Sequence, residues 1–246
     1  MDPRLGIVGE RLKGIRRLIA VSGGKGGIGK SSIASALALI LSQRGHRVGL
    51  LDLDFCGPSA HVILGIEGKY PEEEKGIIPP EAHGIRFMSI IYYAGDNPSP
   101  LRGIDVSNAM IELLAITRWG DLDFLIIDMP PGIGDATLDL VRLVGKASFL
   151  IITTGSRVAL ETVKKMLVML KELNAPIVGV IQNMKFPGSP GVESEIEALG
   201  LPFLGEIGFD AGFEDAIGDV DRLSGTGLVR DLRGIVLRTP ELRSAR

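Results

Sequence analysis

A glycine-rich segment near the amino terminus has the residue types and spacing of a phosphate-binding loop. Gly24 to Ser31 fits the pattern G-x-x-x-x-G-K-[ST] and follows the short apolar run Leu18–Val21. Glycines let successive backbone N–H groups turn toward one phosphate, and a helix starting near Lys30 would add its positive dipole end. The ammonium of Lys30 would contact the β- and γ-phosphates, and the Ser31 hydroxyl would bind Mg²⁺. The predicted nucleotide contacts in this loop are Gly24, Lys25, Gly26, Gly27, Ile28, Gly29, Lys30, Ser31 and Ser32.

Two further apolar runs end in aspartates. The run Val48–Leu53 contains Asp52 near its end and is followed by Asp54. The run Phe124–Ile127 is followed by Asp128. The carboxyl ends of parallel strands meet at the sheet edge where ligands bind, so these carboxylates should lie near the phosphate loop. Asp128 suits a Mg²⁺ ligand that acts partly through water, and Asp54 is the better candidate for orienting the attacking water beside the metal. Taken singly, each aspartate could instead cap a helix or a turn.

Two more residues are candidates for catalysis. The amide of Gly132, after two prolines, would contact a γ-phosphate and shift on hydrolysis. Lys25 is a cation that a phosphate loop does not require. It is either a solvated lysine or a group that reaches a nucleotide held by a second subunit and stabilises charge as the γ-phosphate leaves.

Short β-branched runs alternate with longer stretches of helical spacing along the chain. This alternation predicts one three-layer α/β/α domain over residues 1–246, with a mostly parallel, doubly wound sheet of seven or eight strands. Residues 66–84 and 92–103 interrupt the pattern and are predicted surface excursions. A flexible basic arm over residues 1–14 and a flexible tail over residues 239–246 are predicted at the ends.

The charge, apolar runs and cysteine count of the chain bear on which kinds of partner it could bind and where it could act. Lys and Arg total 27 against 30 Asp and Glu, so the net charge of −3 gives no overall attraction to nucleic acid or an anionic membrane. The apolar runs are far shorter than the ~20 residues of a membrane span, and no signal peptide is visible. Cys56 is the single cysteine, which excludes disulfides within the chain and favours a reducing cytoplasm.

Several of these segments resemble one family of nucleotide-binding proteins. The loop Gly24–Ser31 resembles the deviant Walker A motif of the MinD/ParA/ArsA ATPases, whose additional lysine corresponds to Lys25. Asp52–Ser59 and Asp128–Gly132 resemble switch segments of the Mrp/Nbp-type branch of this P-loop NTPase group.

A later segment extends the same resemblance. Gly179–Met184 is similar to the family segment whose asparagine contacts adenine, which corresponds to Asn183. The resemblance implies ATP and Mg²⁺ as ligands, slow ATP hydrolysis and a homodimer with nucleotide near its interface. It also implies a scaffold or carrier role in iron–sulfur cluster assembly, with apoproteins or assembly proteins as partners.

The sequence departs from that family at its cysteines. Family carriers usually follow the Asn-Met segment with a C-x-x-C pair, whereas Lys185–Gly191 contains no cysteine. A [4Fe–4S] cluster normally takes four thiolates, and two chains would supply only two, both from Cys56. The resemblance therefore supports the ATPase assignment more strongly than it supports a bound iron–sulfur cluster.

Two other functions remain open from the sequence. An amphipathic basic stretch over residues 228–238 is compatible with a MinD/ParA-like regulatory ATPase that acts through membrane, DNA or a protein partner, although a final helix packed on the sheet is favoured. A P-loop phosphotransferase would share the loop, but Lys25 argues against it.

Overall fold

The computed structural model describes residues 4–94, 104–132 and 134–245. The strands in this part of the chain are β1 (Ile15–Gly23), β2 (Val48–Asp52), β3 (Glu72–Glu73), β4 (Ile77–Ile78), β5 (Glu81–Ala82), β6 (Ile85–Ser89), β7 (Leu122–Asp128), β8 (Ala147–Thr153), β9 (Ile177–Lys185) and β10 (Phe203–Gly208). The helices are α1 (Arg4–Leu12), α2 (Lys30–Gln43), α3 (Ala60–Leu64), α4 (Ile91–Ala94), α5 (Ile104–Ile116), α6 (Asp135–Leu143), α7 (Arg157–Glu172), α8 (Glu193–Glu197), α9 (Gly212–Ala216), α10 (Val220–Ser224), α11 (Gly227–Arg238) and α12 (Pro240–Arg243).

The main sheet has eight strands in the order β10-β9-β8-β1-β7-β2-β6-β5. Every neighbouring pair is parallel except β5 with β6. The chain starts in the middle of the sheet at β1 and winds outward in both directions, so the predicted doubly wound α/β fold is confirmed. This order places the end of β1 beside the ends of β7 and β8, at the point where the winding direction reverses.

Two apolar layers cover the two faces of the sheet. Alternate residues of β1 divide between them, with Ile19 and Val21 in one layer and Leu18 and Ala20 in the other. Helices α2 and α11 supply the first layer, and α1, α5, α6 and α7 supply the second. Because both faces are covered, the central strands are buried along nearly their whole length, as their continuous apolar runs indicate.

The excursion predicted over residues 66–84 is more ordered than the sequence indicated. It contains the small antiparallel pair β3–β4, and it ends in β5, which joins the main sheet beside β6. The turn between β5 and β6 is His83-Gly84, with φ of 54° and 71°. Two consecutive positive φ values suit a tight β-hairpin turn. The sequence did not reveal this hairpin, because the Gly- and Pro-rich composition of the segment indicated a loop.

Within the arm predicted to be flexible over residues 1–14, residues 4–12 form helix α1. Val8 and Leu12 are buried against α5 and the adjoining core. Arg4 donates to the side chain of Asn108 at 2.9 Å, and the Lys146 ammonium donates to the carbonyl of Leu12 at 2.8 Å. Val8 and Leu12 lie four apart on one helical face, and the intervening glycine and charged residues hid this pattern.

Two predictions concern the carboxyl-terminal region, one for the amphipathic stretch over residues 228–238 and one for the tail over residues 239–246. The amphipathic stretch forms α11, whose apolar side packs on β10 and α2, so the favoured packed helix is confirmed. In the tail predicted to be flexible over residues 239–246, the Thr239 hydroxyl donates to the carbonyl of Ile235 at 2.9 Å and Leu242 is fully buried in α12. Among the described residues, no helix has the length and apolarity to cross a membrane. Residues 95–103 of the second excursion lie outside the described residues, as do residues 1–3, Ile133 and Arg246.

Candidate nucleotide-binding site

The predicted phosphate loop joins the central strand β1 to the amino end of α2. Gly27 and Gly29 have φ of 75° and 84°, values that a residue with a side chain rarely adopts. A Cβ atom on Gly29 would also lie 2.3 Å from Nδ2 of Asn183, and one on Gly24 would lie 2.8 Å from Cβ of Thr162. Glycine is therefore required here both for backbone conformation and for close packing.

Lys30 lies at the first position of α2 with its ammonium held inside the loop. The residue is 6% exposed, and its Nζ donates to the carbonyl of Lys25 at 3.3 Å. Burial lowers the pKa of Lys30, and the nearby negative charges of Asp128 and Asp54 oppose that shift. A partly desolvated ammonium curled into a loop of backbone amides is well placed to bind an anion.

Asp128 ends β7 directly beside Lys30 and lies in register with Val21 on β1 and Asp52 on β2. Both of its carboxylate oxygens are buried and have no hydrogen-bond partner among the residues that the structure describes. Burial, and then the charge of Asp52, raise the pKa of Asp128. Ser31 lies close enough to oppose this rise, although the pair falls outside hydrogen-bond geometry. A buried carboxylate without a partner is costly and is typical of a site that awaits a cation.

The two aspartates after β2 have different surroundings. Asp52 is fully buried, and its oxygens accept from the backbone amides of Asp54 at 3.0 Å, Ser59 at 3.1 Å and Ala60 at 3.2 Å. Burial is the main cause that raises its pKa, with these amides opposing the rise. Asp52 therefore fixes the loop and the start of α3.

Asp54 is only half-buried and lies near Lys30, where its negative charge opposes the lowering of the Lys30 pKa by burial. Its Oδ1 accepts from the amides of Cys56 and Gly57, both at 3.2 Å. Half-burial leaves Asp54 accessible to solvent at the sheet edge, as a residue that orients water must be.

The remaining loop residues face solvent or neighbouring backbone. Lys25, Gly26 and Gly27 are exposed, whereas Ile28 is buried. The Gly132 amide donates to the carbonyl of Gly23 at 3.2 Å, so it is not directed into the loop. A contact from this amide to a γ-phosphate stays a prediction, and it requires that bond to open.

Asn183 differs most from its predicted role. It is 1% exposed, and its Nδ2 donates to the carbonyl of Ile28 at 2.9 Å. Its Oδ1 is buried and has no hydrogen-bond partner within the described chain. In this structure Asn183 supports the phosphate loop from β9, and contact with a base stays a prediction.

The site brings most of the predicted residues together at one sheet edge. Across the described residues, no group of three or more His, Cys, Asp or Glu side chains is arranged to hold a metal ion, and Cys56 is exposed. The donors present are Ser31, Asp128 and Asp54. Such a set suits Mg²⁺, which keeps several waters and takes other ligands from phosphate oxygens, and it does not suit an iron–sulfur cluster.

Two contributions to the site were missed in the sequence. A Cβ atom on Gly23 would lie 2.4 Å from Cδ1 of Ile28 and 2.7 Å from the carbonyl of Ile152, so Gly23 lets the loop fold back on β8. Gln182 accepts from the amide of Val192 at 3.1 Å and donates to the carbonyl of Pro190 at 3.1 Å, which fixes the segment after β9. A buried amide beside Asn183 at the end of an apolar strand was the available signal.

Comparison with known proteins gives a consistent result. The family model described as ParA, NUBPL iron-transfer P-loop NTPase, matches residues 14–221. The iron–sulfur cluster carrier protein of Pseudomonas fragi is 45% identical over 177 residues, which cover 70% of this chain and 62% of that protein. The corresponding protein of Methanocaldococcus jannaschii is 38% identical over 218 residues, which cover 82% of this chain and 75% of that protein. The chain spans only 62% and 60% of the length of the Pseudomonas fragi and Aquifex aeolicus relatives.

Solved structures share the fold. A nucleotide-binding protein from Archaeoglobus fulgidus in complex with ADP has a TM-score of 0.75 and 29% identity, covering 90% of this chain and 93% of that one. The septum site-determining protein MinD of Pyrococcus horikoshii, complexed with Mg-ADP, has a TM-score of 0.66 and 18% identity, covering 89% of this chain and 93% of that one. The second similarity shows the fold alone. The chain belongs to the ParA family of NUBPL-type iron-transfer P-loop NTPases.

Proposed function

We propose that this chain is a Mg²⁺-dependent ATPase that acts as a dimeric switch in iron–sulfur cluster transfer. The observation that carries the ATPase part is the buried Lys30 ammonium beside the unpartnered Asp128 carboxylate, at the mouth of a glycine loop. A bound triphosphate would place negative charge beside the Lys30 ammonium, and its Mg²⁺ would place positive charge beside the Asp128 carboxylate. The related nucleotide-binding protein from Archaeoglobus fulgidus, which is in complex with ADP, supports the same ligand class.

Each residue of the site has its own role in the proposed hydrolysis. The loop amides and Lys30 bind the β- and γ-phosphates, and Ser31 and Asp128 hold Mg²⁺, which neutralises phosphate charge when it is bound. Asp54 orients a water whose oxygen bonds to the γ-phosphorus while the bond to the β–γ bridging oxygen breaks. ADP leaves with that electron pair, and the water protons pass to the phosphate product and to solvent. Hydrolysis is expected to be slow, as the resemblance to this family implies.

Asn183 favours an adenine base. Its Nδ2 already donates a hydrogen bond to the carbonyl of Ile28. The atom left to contact a base is the Oδ1 acceptor, which has no hydrogen-bond partner among the described residues. An acceptor matches the exocyclic amino donor of adenine and would oppose the carbonyl that guanine carries at the same position.

The first test is nucleotide binding by Lys30→Ala, measured by calorimetry with Mg-ATP. We expect loss of at least a hundredfold in affinity, because the ammonium is the phosphate-binding charge. Lys13→Ala removes an exposed lysine at the opposite edge of the sheet and serves as the matched control, with binding retained. If Lys30→Ala binds ATP as the wild type does, the site assignment is wrong.

The iron–sulfur role draws on the relatives that carry this name, and it is tested separately. With Cys56 as the single thiol, the switch would act by binding apoproteins or assembly proteins rather than by holding a cluster on residues 185–191. Anaerobic reconstitution with iron and sulfide, followed by metal analysis, should leave the chain without iron. ATP should nevertheless change its binding to an iron–sulfur apoprotein. Failure of that nucleotide effect would remove the transfer role and leave the ATPase role intact.

The alternative of a membrane-positioned regulatory switch loses its main support. The apolar side of α11 is buried by the chain's own core, so it offers no free face to a lipid surface. Liposome co-sedimentation with ATP should give no binding.

A further inference from the structure

A cavity lies at the edge of the sheet opposite the nucleotide site. Its volume is about 720 Å³, which is within the range of small-molecule sites. Its walls come from the end of α1, from the segment around Pro79, from β6 and from the segment before β7. Gly14 precedes β1 and Asp121 precedes β7, so the cavity faces the amino ends of the strands, whereas the phosphate loop follows their carboxyl ends.

Three half-buried arginines line this cavity, and backbone carbonyl groups hold each of them. Arg11 donates from Nε to the carbonyl of Ala115 at 3.0 Å and from Nη2 to that of Lys75 at 3.1 Å. Arg86 donates from Nη1 to the carbonyl of Trp119, and Arg118 donates to that of Glu74. A carbonyl fixes the orientation of a guanidinium without neutralising its charge.

Few carboxylates neutralise these charges. Arg118 has an ion pair with Glu74 at 3.4 Å, but that carboxylate is 66% exposed. Within residues 4–94, 104–132 and 134–245, neither Arg11 nor Arg86 has a carboxylate within ion-pair distance. The acids that line the cavity are exposed on its rim, namely Glu10, Glu81 and Asp121. The partly desolvated positive charge therefore lies in the walls, and the negative charge lies in solvent.

Glycines make this arrangement possible. A Cβ atom on Gly76 would lie 2.9 Å from Nη2 of Arg11, and one on Gly120 would lie 2.9 Å from Nη1 of Arg86. Both glycines have positive φ, at 127° and 64°. The backbone thus leaves room for two guanidinium groups to lie directly against it, which an accidental surface cluster would not need.

We propose that this cavity is a second ligand site, which binds a small oxyanion of the phosphate or carboxylate class through Arg11, Arg86 and Arg118. Each guanidinium has N–H donors beyond those used by the carbonyls, and its planar fork matches either kind of oxyanion. Ile78 and Pro79 supply an apolar wall that suits a short carbon skeleton attached to the anion. This inference does not depend on the nucleotide assignment, because it concerns different residues at the opposite edge.

The test uses the single tryptophan of the chain as its reporter. Trp119 lies between the cavity residues Arg118 and Gly120, and its carbonyl accepts from Arg86. Inorganic phosphate and citrate are titrated separately into the full chain saturated with Mg-ADP, and again into Lys30→Ala, so that the phosphate loop does not contribute. We expect a saturable change in Trp119 fluorescence with at least one anion, and the two titrations distinguish the phosphate from the carboxylate class.

Variants then locate the binding. Arg86→Ala should weaken it at least tenfold, and Arg86→Lys should weaken it less, because lysine keeps the charge but loses the fork. Arg44→Ala removes an exposed arginine that does not line the cavity, and it should leave the affinity unchanged. No saturable response at millimolar anion, or an equal loss in Arg44→Ala, would overturn the proposal. If Arg86→Ala is shown by its melting curve to be unfolded, Arg86→Lys and Arg118→Lys carry the same comparison.

Discussion

Asp128 carries a large electrostatic cost in the nucleotide-free chain. Its carboxylate is buried beside Asp52, neither oxygen has a hydrogen-bond partner in the described chain, and its pKa is raised by burial first and by Asp52 second. A raised folded-state pKa means that the folded chain holds this proton more tightly than the unfolded chain does. The stability that the proton provides is complete below the unfolded pKa and is lost as pH rises through the folded one.

This cost gives a prediction for Asp128→Asn. As pH rises from about 5 to about 8, nucleotide-free wild type should lose stability relative to the variant by up to about 1.4 kcal/mol per pH unit, the limit for one proton. Urea unfolding of both proteins across that range is the measurement. Parallel stability curves would contradict the assignment. Mg-ATP affinity of the wild type should rise over the same range, because Mg²⁺ requires the ionised carboxylate.

Asn183 allows two roles to be separated. Asn183→Ala removes the bond to the Ile28 carbonyl, which should cost about 1–2 kcal/mol in phosphate-loop preorganisation. Because the loop itself is loosened, affinity for tripolyphosphate, which has no base, should fall, and affinity for ATP should fall further because the contact from Oδ1 to adenine is lost as well. Calorimetric titration with both ligands decides the matter. A loss confined to ATP would show that Asn183 acts on the base alone.

At the scale of elements, α1 is an integral part of the second apolar layer. Leu12 is 2% exposed and packs with Val8 against α5, whereas Leu5 on the same helix is 39% exposed. Leu12→Ala should therefore destabilise the fold by about 2–5 kcal/mol, and Leu5→Ala should stay within about 0.5 kcal/mol of wild type. Chemical denaturation of the three proteins tests this. Equal stability of all three would mean that α1 does not dock in solution.

The contrast between α1 and the central strands shows what the sequence could predict. The apolar runs at β1, β2, β7 and β8 are long enough to be unambiguous, because both faces of a parallel sheet are covered. Helix α1 has only two buried apolar residues between charged ones and two glycines, so its local pattern is weak. Its docking depends on α5, nearly one hundred residues away, which local patterns do not reveal.

For the candidate nucleotide-binding site too, the sequence predicted some features and not others. Spacing alone identified Lys30, Ser31 and Asp128, because their roles require a strand, a loop and a helix in a fixed order. It also favoured Asp54 over Asp52 as the residue that orients water, but it did not show that backbone amides bind both oxygens of Asp52 while Asp54 stays half-buried. That difference depends on how the chain turns after β2.

At the scale of the whole molecule, the unexplained charge is Lys25. Its side chain is exposed at the mouth of the loop, and its backbone carbonyl accepts from the Lys30 ammonium. An exposed cation at this position is available to a nucleotide that a second copy of the chain holds, where it would stabilise the charge of the leaving phosphate. The dimeric switch therefore predicts that each complete site combines one chain's Asp54 with its partner's Lys25.

Mixing two inactive variants tests this arrangement. Lys25→Ala and Asp54→Ala both retain Lys30 and should bind Mg-ATP, yet neither homodimer should hydrolyse it. An equal mixture should recover about a quarter of the wild-type rate, because random pairing makes half of the dimers mixed and each mixed dimer holds one complete site. Phosphate release from the mixture, against each variant alone, is the measurement. Since a lysine acting within its own chain would gain nothing from mixing, a rate equal to the sum of the two variants would place Lys25 in its own site and remove the need for a dimer.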